Sequence, residues 1–317
     1  MNPSSIRTLS AVSLFAVAML VAIPVVAQNL TLEGQTGGFI TPTAYVVYAA
    51  KNQFFSHPAV GYHFVDTNKV IGDIHTFSIA EGFANRAELG YTRSVHFEGD
   101  SALFSSLWNY SGMNIINGKV VAIKDGQGSP FTPGLAAGFV VRTGDHFVTG
   151  ALDGKSYTNE DLYVAATKTW LHPPLPFLVN LGWKATNASI YGIGGQSTRF
   201  GGRLFGGLGI PLPGPFHTAI VPAAGFTQEP PTSKNLAAIL YPPGSRAHLP
   251  TTLDYAVRVT QKEHPHFAFD IGVGQVAGQI GTTVVNAAPP GLPPVLVPLP
   301  VNLEARKVFG LGLSIRP

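Results

Sequence analysis

Between Phe177 and Ala185 the chain alternates, with Phe177, Val179, Leu181, Trp183 and Ala185 apolar and Asn180, Gly182, Lys184 and Thr186 on the opposite parity. A period of two sends successive side chains to opposite faces of a strand, so this stretch is extended with one apolar face. The pattern recurs. Ala87, Leu89, Tyr91, Val95 and Phe97 oppose Arg86, Glu88, Gly90, Thr92, Ser94 and His96, with Arg93 the one break in the apolar face. Leu253, Tyr255, Val257 and Val259 oppose Thr252, Asp254, Ala256, Arg258 and Thr260, while Phe267, Phe269, Ile271 and Val273 oppose Asp270, Gly272 and Gly274. The last repetition puts Phe309, Leu311, Leu313 and Ile315 against Gly310, Gly312, Ser314 and Arg316. Leu135 to Thr143 and Leu162 to Trp170 follow it less strictly, and Gly72 to Ala80 and His217 to Gln228 read as strands from their spacing and flanking turns.

Many half-apolar strands must cover their apolar faces with a second sheet or with lipid. Composition favours lipid. Charged residues make up 12% of the chain, against about 25% in ordinary soluble domains, and 36 glycines and 26 prolines punctuate the strands. Helical windows are interrupted by glycine, proline and β-branched residues. The fold expected is all-β: an antiparallel up-and-down transmembrane barrel of roughly 12 strands, within a range of 10 to 14, counted between Phe39 and Ile315. Closure would also supply the stability that a chain with no cysteine cannot draw from disulfides.

Met1 to Ala27 has the form of an export signal: one basic residue (Arg7), an apolar run from Leu9 to Ile23, and Val25-Val26-Ala27 at the end. Pro24 and the short apolar core disfavour a spanning helix. Cleavage after Ala27 would leave Gln28 first, with no cysteine to carry a lipid. The expected organisation is a signal peptide over 1–27 and a barrel over 28–317, with proline-rich loops at 229–250 and 286–302, and the expected location is the bacterial outer membrane. The second loop, NAAPPGLPPVLVPLPVN, is apolar enough to fold onto or into the barrel mouth, although a polyproline linker explains the same letters.

Chemistry-bearing motifs are sparse. Ten histidines occur without a GxSxG elbow or an HExxH helix. His264-Pro265-His266 offers two imidazoles and no carboxylate pair to complete a metal site. Gly192-Ile193-Gly194-Gly195 and the pairs Gly201-Gly202 and Gly206-Gly207 lack the lysine of a phosphate loop and read instead as places where strands bend or approach. No catalytic, cofactor or metal site is expected. A net charge of +3 with scattered basic residues gives no nucleic-acid footprint. The candidate functional residues are the polar ones expected to line the lumen: Arg86, Glu88, His96, Lys184, Asp254, Arg258 and Asp270. They would form either a charged constriction for a small solute of unknown identity or the paired filling of a plugged barrel.

Particular strings carry a family resemblance. LTLEGQTGGFITPTAYV, FANRAELGYTRSVHF and DLYVAATKTWLHPPLPFLVNLGWKATNA, followed by YGIGG, resemble the Gram-negative outer-membrane family catalogued as domain of unknown function 3034. The likeness is strongest from Phe83 to Gly195, and parts of it are shared with barrels associated with exopolysaccharide export. It implies a barrel in outer-membrane lipid and assigns no activity. The barrel-assembly machinery is the partner expected during insertion. Here the chain departs from the usual pattern, because Leu313 and Ile315 stand where terminal aromatics are common and the chain ends Arg316-Pro317. A soluble periplasmic β-sandwich binding module and a barrel enzyme acting on lipid, the latter built around His96 and Glu88, are the alternatives from other classes.

Overall fold

The computed structural model describes residues 29–67, 72–100, 112–144, 158–170, 176–188, 196–230, 246–247, 251–261, 267–276, 279–302 and 307–316. The expected export signal, most of the 229–250 loop, His264 to His266 and Gly192 to Gly195 lie outside these residues.

Twelve strands make one closed antiparallel sheet: β1 (Ala59–Asp66), β2 (Gly72–Phe83), β3 (Ala87–Glu98), β4 (Met113–Ile123), β5 (Gly134–Gly144), β6 (Thr158–Trp170), β7 (Phe177–Ala188), β8 (Gln196–Gly209), β9 (Thr218–Gln228), β10 (Thr251–Gln261), β11 (Phe267–Val276) and β12 (Lys307–Ile315). Each strand pairs with the next, and β12 returns to β1 with Val60 opposite Ile315 and Asp66 opposite Phe309. Closure leaves the wall without an open edge. A sheet closed on itself is not one half of a two-sheet sandwich, and the outer apolar face stays exposed.

The period of two in the sequence becomes an inside and an outside. In β7, Phe177, Val179, Leu181 and Trp183 are exposed, whereas Asn180 and Lys184 are buried. The outer face continues through Phe77, Ile79, Leu89, Phe97, Val120, Leu162, Leu204, Val257 and Ile271, and Leu162 is 61% exposed. A belt of large apolar side chains this extensive is untenable in water and is what a bilayer requires.

At one end of the barrel no connection exceeds ten residues, the shortest being 84–86 between β2 and β3. There, Ala84 and Asn85 take positive φ values of 52° and 55°, and the Arg86 amide donates to the Phe83 carbonyl at 2.9 Å. Such a left-handed two-residue turn matches the twist of the strands it joins. The longer connections, including 229–250 and 277–306, leave from the opposite end.

Two inward aromatics lie over glycines of the neighbouring strand. Tyr163 faces Gly138 and Phe205 faces Gly182 as direct cross-strand pairs, and a methyl group on either glycine would enter the ring opposite. With Met113, Ile115 and Val140 they form a buried apolar shelf inside the barrel.

The structure corrects the sequence reading of the strand boundaries. Wall strands begin at Ala59, not near Phe39, because residues 29–49 run inside the barrel, where Leu30, Gln35, Thr36 and Val47 are buried. This stretch presents polar and apolar groups in every direction and so has no face to offer lipid. The 286–302 segment is not wholly a loop either. Leu296–Asn302 pairs antiparallel with Gln279–Asn286, which also meets Arg246–Ala247, in a separate three-stranded sheet. Its turn is open to solvent, with Leu292 and Val295 exposed.

Candidate functional site

The interior segment is a hairpin. Asn29 enters near the short-turn end, where its side-chain amide donates to Asp270 at 2.6 Å and the Leu30 amide reaches the Ser314 hydroxyl. The chain climbs to a tip at Glu33 and Gly34, level with Arg142 and Asp161 on the long-loop side. It descends past Thr36, makes a second turn through Phe39 that the Gly37–Pro42 bridge closes, and leaves past Thr43 through Ala44 to Ala49, again at the short-turn end. Gly34 has φ +82°, and a methyl group there would fall on the Thr92 hydroxyl, so glycine is needed for both the turn and the close approach.

Polar wall residues hold this hairpin chiefly by its backbone. Glu88 accepts from the Thr36 amide (2.9 Å), the Thr36 hydroxyl and the Val47 amide (2.8 Å). Lys119 donates to the Thr36 and Thr43 carbonyls at 2.8 and 3.1 Å, and lies 3.5 Å from Glu88. Asn117 donates to the Glu33 carbonyl, Asn180 to that of Pro42 and Arg258 to that of Gly37. The Ala44 amide donates to the Thr167 hydroxyl at 2.7 Å. At the tip, Arg142 grips the Glu33 carboxylate with two donors and also reaches Asp161 at 2.8 Å, which Lys184 approaches to 3.8 Å. At the exit, the Tyr45 hydroxyl donates to Asp125 at 2.7 Å and meets Thr169. Burial, reinforced by the Asp125 carboxylate, keeps the Tyr45 phenol well above its ordinary range, so it remains a donor.

Apolar contacts complete the seal. Leu30 and Val47 pack on Ala59 and Ala80, Leu32 on Val65 and Ile74, and Ala44 and Val46 on Val121 and Ala136.

Of the residues singled out from sequence, Glu88, His96, Lys184, Asp254, Arg258 and Asp270 are buried on the inner face. Arg86 is not among them. It closes the β2–β3 turn and directs its guanidinium to the Val121 and Ala122 carbonyls and Gln127 at the barrel end, because the strand begins one residue later. Glu88 and His96 lie eight positions apart on β3, about 26 Å along a strand, so they form no acid–base pair. Sequence reasoning missed Glu33, His63, Lys119, Arg142 and Asp161. For Lys119 the signal was present: Asn117, Lys119 and Val121 alternate with Ile116, Gly118 and Val120.

The closed antiparallel wall with its apolar belt and polar interior makes this an outer-membrane β-barrel. The chain belongs to the family described as "Protein of unknown function (DUF3034)", whose model matches residues 27–203. No curated protein matches it. Among solved structures it is similar to the KdgM porin (10% identity, TM-score 0.44, covering 82% of this chain and 99% of that one) and the NanC porin (8%, 0.44, 82% and 100%). The β domain of the Bordetella autotransporter BrkA is also similar (11%, 0.36, 84% and 100%). Such scores leave the functional reading to the chain's own side chains.

Proposed function

We propose that the protein is a channel for small hydrophilic solutes that rests closed, with the hairpin of residues 29–49 as its gate. The observation that carries this reading is how the hairpin is held. Its attachments run mostly from wall side chains to hairpin backbone, and water can replace them one for one. Both limbs also reach the same mouth. The hairpin can therefore withdraw without threading, swinging on the exposed stretch from Ala50 to Phe55. Since short turns face the periplasm in bacterial barrels, withdrawal is toward the periplasm.

An emptied lumen would be wet and nearly neutral. Among the described residues of the wall strands, the buried acids are Glu88, Asp161, Asp254 and Asp270 and the buried bases are Lys119, Arg142, Lys184 and Arg258, four against four. Mixed signs favour uncharged polar solutes and weak ion selectivity. The amino-terminal export signal and the barrel-assembly machinery deliver the chain to the outer membrane in this account.

The test is permeability of proteoliposomes to small sugars, comparing the full barrel with one lacking residues 30–49, both shown folded by heat-modifiable gel migration. Faster entry through the shortened protein is expected. A folded deletion variant as impermeable as the full chain would make the barrel a sealed envelope component instead.

A further inference from the structure

Beside the hairpin lies a cavity of about 60 Å³, lined by Gly37 and Thr41 on the hairpin, by Gly207, Asp254 and Arg258 on the wall, and by Asp270, whose carboxylate offsets the Arg258 charge. Small inward residues create the space. At ~30 Å³ per water it has room for about two.

Among the described residues of the hairpin and the strands beside it, four buried acids have a cation partner and Asp254, at this cavity, does not share in those pairs. Glu33 and Asp161 have Arg142, Glu88 has Lys119, and both oxygens of Asp270 are taken by Arg258, the second also by Asn29. Asp254 is 6% exposed, and its Oδ1 has no hydrogen-bond partner among the described residues. Arg258, the nearest cation on its strand, is committed to Asp270 and the Gly37 carbonyl. A buried carboxylate that shares its nearby cation with another acid is costly unless an ion or a proton joins it.

We propose that this cavity binds one small monovalent cation, with Asp254 as its anionic ligand and retained waters completing the shell. A single free carboxylate argues against calcium, which gathers several charged oxygen ligands, and against magnesium, which favours sites built from more than one carboxylate or phosphate. The carboxylate is also aimed. Gly225 stands directly opposite Asp254 on β9, and a methyl group there would fall on Oδ1. Glycine at 225 thus lets the carboxylate lie across the neighbouring strand. The site belongs to the closed barrel and does not require the hairpin to move.

The experiment uses the full chain crystallised from rubidium salt, with anomalous scattering locating the ion and infrared spectroscopy reporting the carboxyl state. A rubidium peak in the cavity is expected, absent in Asp254→Asn and weakened or displaced in Gly225→Ala, which keeps the charge and moves it. No peak in the wild type, or a peak that survives Asp254→Asn, overturns the proposal. So does a protonated-carboxyl stretch at neutral pH in the presence of rubidium that disappears in Asp254→Asn, since the proton would then be the occupant. Sugar permeability of the hairpin deletion bears on the gate and is independent of these outcomes.

Discussion

Glu33 and Arg142, 109 positions apart, meet inside the barrel through two parallel hydrogen bonds, the Nη2–Oε2 contact measuring 2.8 Å. The pair is the uppermost tie between hairpin and wall. Its arginine keeps a second acid, Asp161, so removing Glu33 does not orphan the guanidinium. Glu33→Ala should cost about 3 kcal/mol, the lower end for breaking a buried pair. A double-mutant cycle with Arg142→Ala, followed by urea unfolding in lipid, should return a coupling of about 1–3 kcal/mol. Additivity of the two changes would mean that the tip is not held this way.

Gly34 makes a separate prediction about the same tip. Gly34→Ala adds a left-handed penalty of about 1–2 kcal/mol and a collision with the Thr92 hydroxyl. Sugar entry should rise with the hairpin still present. Combining it with Thr92→Ala, which removes the colliding oxygen, should restore part of the closure. Wild-type permeability in the single variant would show that the tip tolerates a side chain.

The outer belt can be tested by charge. Leu181 is 55% exposed on the outer face of β7. Leu181→Arg should lower folding stability in bilayers by about 2–4 kcal/mol if that face meets lipid near the midplane, whereas an exposed substitution in a water-soluble sheet stays within about 0.5 kcal/mol. Unfolding titrations in liposomes separate the two.

The wall was legible in the sequence because strand faces follow a local rule. Leu181 and Asn180 declare their sides by their neighbours alone, as do Tyr255 and Asp254, and the inward acids and bases in strictly alternating segments came with them. The hairpin obeys no such rule. Thr36 is held by Glu88 and Asn29 by Asp270, 241 positions away, and no period in residues 29–49 announces partners so remote. Its Thr and Gly residues resemble any polar loop until the barrel closes around them. Arg142 and Asp161 are hard to read because their strands alternate less cleanly, and Arg86 is hard to place because a strand boundary one residue off changes a lumen residue into a turn residue.

The most direct test of the gate is a reversible lock. A Cβ placed on Gly61 would lie 3.4 Å from that of Leu30, close to the spacing a disulfide spans, and the chain has no other cysteine to interfere. In planar bilayers, the oxidised Leu30→Cys, Gly61→Cys variant should stay silent, and adding reductant on the periplasmic side should bring stepwise openings. Equal conductance in the oxidised and reduced states, with the cross-link verified, would contradict a hairpin that opens the channel by leaving it.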